Sequence, residues 1–139
     1  MDPTVPDGSD TTGGLASAVP FAAEIGIDLV SAAREEVRAR LPWAPERCTA
    51  GGVLHGGALM TLADTAGAVC AFLTLPPGAT TSTIESKTNF FRTVRSGHVE
   101  AVTRPLHVGR TTIVVQSDLF DADGRRVAQV TQTQSVREP

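Results

Sequence analysis

An α+β fold, with an antiparallel sheet wrapped around one long helix, is the architecture this sequence predicts, on three observations. Apolar residues recur at helical spacing between Leu59 and Leu73. Four segments rich in Val, Thr and Ile follow that stripe, and two shorter extended segments precede it. The later four follow one another through short turns, whereas parallel neighbours would each need a long crossover.

Taken in order, residues 1–19 are rich in Gly, Ser, Thr, Pro and Asp, a composition that buries too little apolar surface to offset the entropy of ordering. A disordered leader is expected there, with residues 20–139 forming a single folded domain. Phe21–Gly26 reads as a short helix, and Ile27–Ala33 with Glu35–Leu41 as two strands of a hairpin. Pro42–Gly52 holds two prolines and ends in a glycine pair, which makes it a loop. Leu59, Leu62, Ala63, Ala66, Val69, Cys70 and Leu73 then form the helical stripe, closed by Pro76, Pro77 and Gly78. Ser82–Thr93, His98–Leu106, Thr111–Phe120 and Val127–Val136 read as strands of an antiparallel meander.

The bulk properties narrow the function. A chain of 139 residues, 41% hydrophobic and 19% charged with mean hydropathy +0.02, has material for one soluble core and no room for a second enzymatic domain. A net charge of −3 provides no basic field, so nucleic acid is set aside as a partner. Aromatics are 4% of residues, with one Trp and no Tyr, so aliphatic side chains and backbone must grip any large apolar ligand. Cys70 falls inside the helical stripe as a small core residue, and with only Cys48 besides no disulfide framework is implied. MDPTVPDGSD lacks the basic start and apolar run of a secretory signal, so a cytoplasmic protein is expected. Thr61, Asp64 and Thr65 interrupt the apolar segment Ala58–Leu75, so no membrane span is expected either.

The helix carries one residue out of keeping with its surroundings. At about 100° per residue, Asp64 lies roughly 140° from the middle of the apolar stripe, beside Gly67, Ala68 and Ala71. A solvated helix face would be filled with Lys, Glu and Gln. A face of Gly and Ala admits close approach by a ligand or another backbone, and a partner subunit is the expected cover.

Just before the helix stands His55-Gly56-Gly57. Two glycines there leave backbone N–H groups uncovered at the positive end of the helix dipole, a site for an oxygen that gains negative charge. The carbonyl oxygen of a thioester does so when its carbon is attacked, and preorganised N–H donors are usually the largest contributor to stabilising it. Asp64, two to three turns on, is placed to act at the carbonyl carbon, either as nucleophile or as general base for water.

At these residues the chain resembles a known family. GGVLHGGALMTLADTAGA, STIESKTNFFRTVRSG, VGRTT and DADGRRVAQVTQT are similar to the phenylacetic acid degradation branch of the hotdog-fold thioesterases, over roughly Phe21 to Val136. The resemblance implies a hotdog fold, dimers or dimer-of-dimers tetramers, active sites at the dimer interface, an acyl-CoA substrate with an aromatic or medium-size acyl group, and no cofactor. It implies that Asp64 is the catalytic carboxylate, supplied across the interface to a site where the Gly56 N–H polarises the thioester carbonyl. His55 matches the histidine that organises this site, with Gly57 beside it for substrate binding, and Thr83 matches a hydroxyl that helps hold the water. Thr49 stands where many relatives have Asn; its hydroxyl still donates a hydrogen bond but reaches less far. Arg92 and Arg110 are the implied candidates for the phosphates of coenzyme A, which the planar donor fork of arginine suits.

Other polar residues read as structural. His98 and His107 have no Cys or carboxylate partner at ligand spacing, so no metal site is expected. Glu85 and Lys87 share a strand face, as a cross-strand or interface ion pair, and no G-x-S-x-G elbow or phosphate-binding glycine loop occurs. Two competing functions share the fold: a non-catalytic acyl-CoA sensor or protein-interaction module, and an enoyl-CoA hydratase. The second lacks here the loop motif pairing Asp with His.

Overall fold

The structure, a computed structural model, describes residues 18–139. The expected leader therefore lies outside the described residues except for Ala18 and Val19. The chain runs α1 (Pro20–Ile25), β1 (Asp28–Ala32), β2 (Val37–Pro42), a single 3-10 turn (Pro45–Arg47), α2 (Gly56–Leu73), β3 (Thr80–Phe90), β4 (His98–Val108), β5 (Thr112–Asp121) and β6 (Arg126–Arg137). All six strands join one antiparallel sheet in the order β1-β2-β4-β5-β6-β3, with α2 packed against it.

Helix α2 starts one turn before its apolar stripe because His55 caps it, the imidazole accepting the Gly57 N–H. It ends where the Thr74 hydroxyl donates to the Ala71 carbonyl, two residues ahead of Pro76. Leu59, Leu62, Ala63, Ala66, Val69 and Cys70 meet Leu41, Val99, Ile113, Val115 and Val127 in the core. Each fully buried Leu, Ile or Val contributes about 1.5–3 kcal/mol relative to exposure. Burial pushes the Cys70 thiol up to about 11, and neither cysteine is in a disulfide. Although α2 is long and apolar enough to cross a membrane, the sheet wraps it as a core helix.

The four-strand meander needs correction. β4, β5 and β6 do form one, but β3 lies beyond β6 at the sheet edge, not beside β4. Strand spacing constrains antiparallel orientation only. The connection Phe91–Gly97 carries the chain from β3 back to β4 past the start of β6, where the Phe91 and Arg92 N–H groups donate to the Val127 carbonyl. β3 is left with one strand neighbour and Ile84 63% exposed. Opposite β6 it carries a bulge: Thr83 pairs with Gln134 and Glu85 with Thr133, leaving Ile84 as the extra residue. A bulge shifts the two-residue alternation by one. Thr81 and Thr83 thus face α2 before it, and Ser86, Thr88 and Phe90 after it. Glu85 and Lys87 do share the other face, but no salt bridge joins them among the described residues.

On the outer face of β2 and β4, Glu100 holds Arg38 at 3.0 Å and Arg40 at 2.8 Å. Partial burial raises the Glu100 carboxyl, but the two guanidinium groups outweigh it and keep it below the usual carboxylate range. This face is structural.

Candidate active site

Asp64 is the exposed carboxylate of α2, and its surroundings are built by β3 and β6. The Thr83 hydroxyl donates to Asp64 Oδ1 at 3.0 Å, and the Gln132 side-chain amide donates to the same oxygen. Gln132 Nε2 also reaches Thr83 Oγ1 at 3.2 Å, and Gln134 Nε2 donates to that hydroxyl at 2.7 Å. The one proton and both lone pairs of the Thr83 hydroxyl are therefore engaged. Both donors to the carboxylate converge on Oδ1, and among the described residues no donor meets Oδ2. A carboxylate held by one oxygen presents the other to a reactant.

Part of the small-residue face of α2, at Gly67 and Ala71, is covered by this chain's own sheet, while Ala68 stays half-buried and Asp64 exposed. Gly67 and Ala71 are buried, and a Cβ at Gly67 would overlap the Gln132 side-chain oxygen and lie 3.2 Å from Val115 Cγ2. Asp64 itself opens onto a cleft of about 450 Å³ whose apolar wall includes Phe21 and Met60, respectively 60% and 40% exposed. Thr61, Gly57 and Phe21 separate it from a second cleft, about 270 Å³, that reaches His55 and Cys48.

At the helix start the reading of two free N–H groups reduces to one. The Gly57 N–H donates to His55 Nδ1 at 2.7 Å, because a cap side chain folds back on the first turn. The Gly56 N–H has no acceptor among the described residues. The Phe90 ring lies against Gly56, where a Cβ would come within 3.1 Å of the ring edge. Gly56 and Asp64 are eight residues apart on one straight helix, about 12 Å at 1.5 Å per residue. That is too far for both to act on one carbonyl group from the same chain.

Thr49 sits exposed in the loop before the helix, its backbone N–H donating to the Val53 carbonyl at 2.8 Å; no hydrogen bond engages its hydroxyl among the described residues. Gly51 and Gly52, both with positive φ, turn this loop, and Trp43 Nε1 fastens it by donating to the Gly52 carbonyl at 3.0 Å. Arg92 lines a polar cleft of about 620 Å³ with Arg95 and Arg125. Arg125 is already paired to Asp121 and Asp123. Arg110, in the β4–β5 turn, is not with them: Thr112 pairs with Ser135 at one end of β6, whereas Phe90 pairs with Ala128 near the other. Within one chain the two candidate arginines therefore stand at opposite ends of the sheet. Among the described residues no three His, Cys, Asp or Glu side chains gather as a metal-holding group.

Gln132 and Gln134, 1% and 0% exposed, hold Asp64 and Thr83 and were not singled out by the motifs. The available signal was parity: Val130, Gln132 and Gln134 share the inward face of β6, and amides on a core face require partners.

The known proteins agree with this architecture. Residues 51–128 match the family described as the thioesterase superfamily. The proofreading thioesterase EntH of Cronobacter turicensis is 31% identical over 102 residues, 73% of this chain and 74% of that protein. A 1,4-dihydroxy-2-naphthoyl-CoA hydrolase of Escherichia coli is 38% identical over 74 residues, 53% of this chain and 54% of its own. The crystal structure of a Haemophilus influenzae thioesterase superposes with a TM-score of 0.86 at 28% identity, over 94% of this chain and 92% of that one. On its matched residues, its sheet wrapped around one helix and these relatives, the chain belongs to the thioesterase superfamily and is a thioester hydrolase of the hotdog fold.

Proposed function

We propose that this enzyme hydrolyses acyl-CoA thioesters bearing an aromatic or medium-size acyl group, at a site shared between two protomers. The observation that carries the reading is the Asp64 carboxylate, tethered through Oδ1 at the mouth of a largely apolar cleft. In this mechanism the acyl chain lies in that cleft against Phe21 and Met60. The Gly56 N–H of the other protomer receives the carbonyl oxygen, and Oδ2 takes a proton from the attacking water or attacks the carbonyl carbon to form an anhydride that water then hydrolyses. The CoA thiolate leaves, and His55 orients the first turn that presents the Gly56 amide. Arg92, with Arg95 beside it, is the candidate for the phosphates; Arg110 serves that role only for a ligand that crosses subunits. Thr49 helps shape the loop before His55.

Support for an aromatic acyl group comes from the motif resemblance to the phenylacetic acid degradation branch and from the relative named for a naphthoyl-CoA. The exposed edge of β3 is the surface through which two sheets would pair, an arrangement consistent with a homodimer or dimer-of-dimers tetramer. The test is a thiol-release screen over phenylacetyl-, benzoyl-, hexanoyl-, acetyl- and palmitoyl-CoA. The expected order of kcat/KM places the aromatic and medium-size thioesters ahead of acetyl and palmitoyl by roughly tenfold or more, since each pocket-filling methylene is worth about 1 kcal/mol. Tight binding of every ester with no thiol released identifies a sensor instead.

A further inference from the structure

We infer that Gln132 is a positioning residue: its amide fixes the Asp64 carboxylate on one oxygen, and Gln134 fixes Thr83 for the same purpose. The inference rests on the reading of Asp64 as the catalytic carboxylate and assigns its supporting shell. Gln132 lies on β6 with its side chain directed at α2, and it is almost wholly buried. Its Nε2 hydrogens have two destinations, Asp64 Oδ1 and Thr83 Oγ1. Turning the amide over would aim its oxygen at the carboxylate, so the orientation is set by charge.

The other end of the same amide argues that stability is not its purpose. Gln132 Oε1 is buried and has no hydrogen-bond partner among the described residues, a condition that costs free energy in any interior. An apolar side chain of equal length would fill the place without that cost. Glycine at position 67 completes the arrangement, because a Cβ there would occupy the position of Oε1 and push the amide off Asp64. Gln134, fully buried, holds Thr83 at 2.7 Å, while the Thr81 hydroxyl faces its oxygen at 3.2 Å. The chain Thr81, Gln134, Thr83, Asp64 thus runs from the buried sheet face to the exposed carboxylate. The Ile84 bulge shifts the inward alternation just beyond Thr83, so that it resumes at Ser86.

The test is Gln132→Met, close in volume but without a donor, in the full-length enzyme with the best thioester of the screen. Expected are a kcat lower by roughly tenfold to a hundredfold, the scale of a misplaced catalytic group, a KM within about twofold, and an unfolding midpoint in urea equal to or above that of the wild type. A purely structural residue would lower the midpoint instead. In an Asp64→Ala background the same substitution should leave the residual rate unchanged, since there is no carboxylate left to orient. If Gln132→Met does not fold, Gln134→Met and Gly67→Ala report on the same shell by the same kcat and KM split. A folded Gln132→Met protein with wild-type kcat overturns the inference while leaving Asp64 in place. Loss of kcat that persists undiminished in the Asp64→Ala background also overturns it. A wild-type rate for Asp64→Ala alone removes the proposed function itself.

Discussion

Asp64→Asn is expected to lower kcat for thiol release by roughly 10²–10⁴-fold, the range for loss of a positioned general base, with the fold and oligomer unchanged. The substitution keeps the shape of the side chain. Its amide oxygen can still accept from Thr83 and from Gln132, so the hydrogen bonds at Oδ1 are preserved. What is lost is the second oxygen with its charge, the group that in the proposed mechanism attacks carbon or takes a proton from water. Asp64→Ala should match it in rate. Because Asp64 is exposed, its truncation opens no core cavity and should shift the melting temperature little. Steady-state kinetics on both variants, beside a melting curve, separate chemistry from folding. Asp64→Asn with full activity would show that the carboxylate plays no part in the reaction.

Removing the proposed oxyanion donor is expected to give the second large effect. Gly56→Pro deletes the one backbone N–H at the helix start that lacks an acceptor among the described residues, and proline is favoured at the first helical position. His55 already has the extended backbone, φ −62° and ψ 134°, that a residue before proline prefers. The helix should therefore stand while kcat drops by roughly 10²–10³-fold, about 2.7–4 kcal/mol of transition-state stabilisation. Gly56→Ala is the matched control. It retains the N–H and brings a Cβ to the same 3.1 Å contact with the half-exposed Phe90 ring, which can swing aside. A Pro variant no slower than the Ala variant would mean that the carbonyl oxygen is received elsewhere.

The sequence carried the helix and the strands well because each element has a period that side-chain burial imposes. The apolar stripe from Leu59 to Leu73 is the face that packs on the sheet, and the alternation along β5 and β6 is the inward and outward face of each strand. Strand order was not readable in the same way. Nothing local distinguishes β3 beside β4 from β3 beside β6, since either is antiparallel. The true order depends on the curl of the sheet around α2. The start of α2 was also hidden, because it is fixed by the His55 side chain and not by apolar spacing.

Among site residues, motif resemblance and spacing pointed to Asp64, Thr83, His55 and Gly56. Geometry then joined the first two through a hydrogen bond and set Gly56 apart from them along the helix. Gln132 and Gln134 were missed because glutamine in a strand reads as a surface residue until the inward parity of β6 is known. The cover over Gly67 and Ala71 was assigned to a partner for the same reason: the glutamine that fills the space lies 65 residues further along the chain.

The separation of Gly56 from Asp64 makes the central claim one about assembly: each site takes its amide from one protomer and its carboxylate from the other. Mixing two inactive proteins, Asp64→Ala and Gly56→Pro, under conditions that exchange subunits tests it directly. Each mixed dimer would hold one site with both groups intact, so equal amounts should recover roughly a quarter of the wild-type rate if exchange is statistical and the dimer symmetric. A mixture shown by mass to contain heterodimers, yet no more active than its parents, would contradict a site shared between subunits.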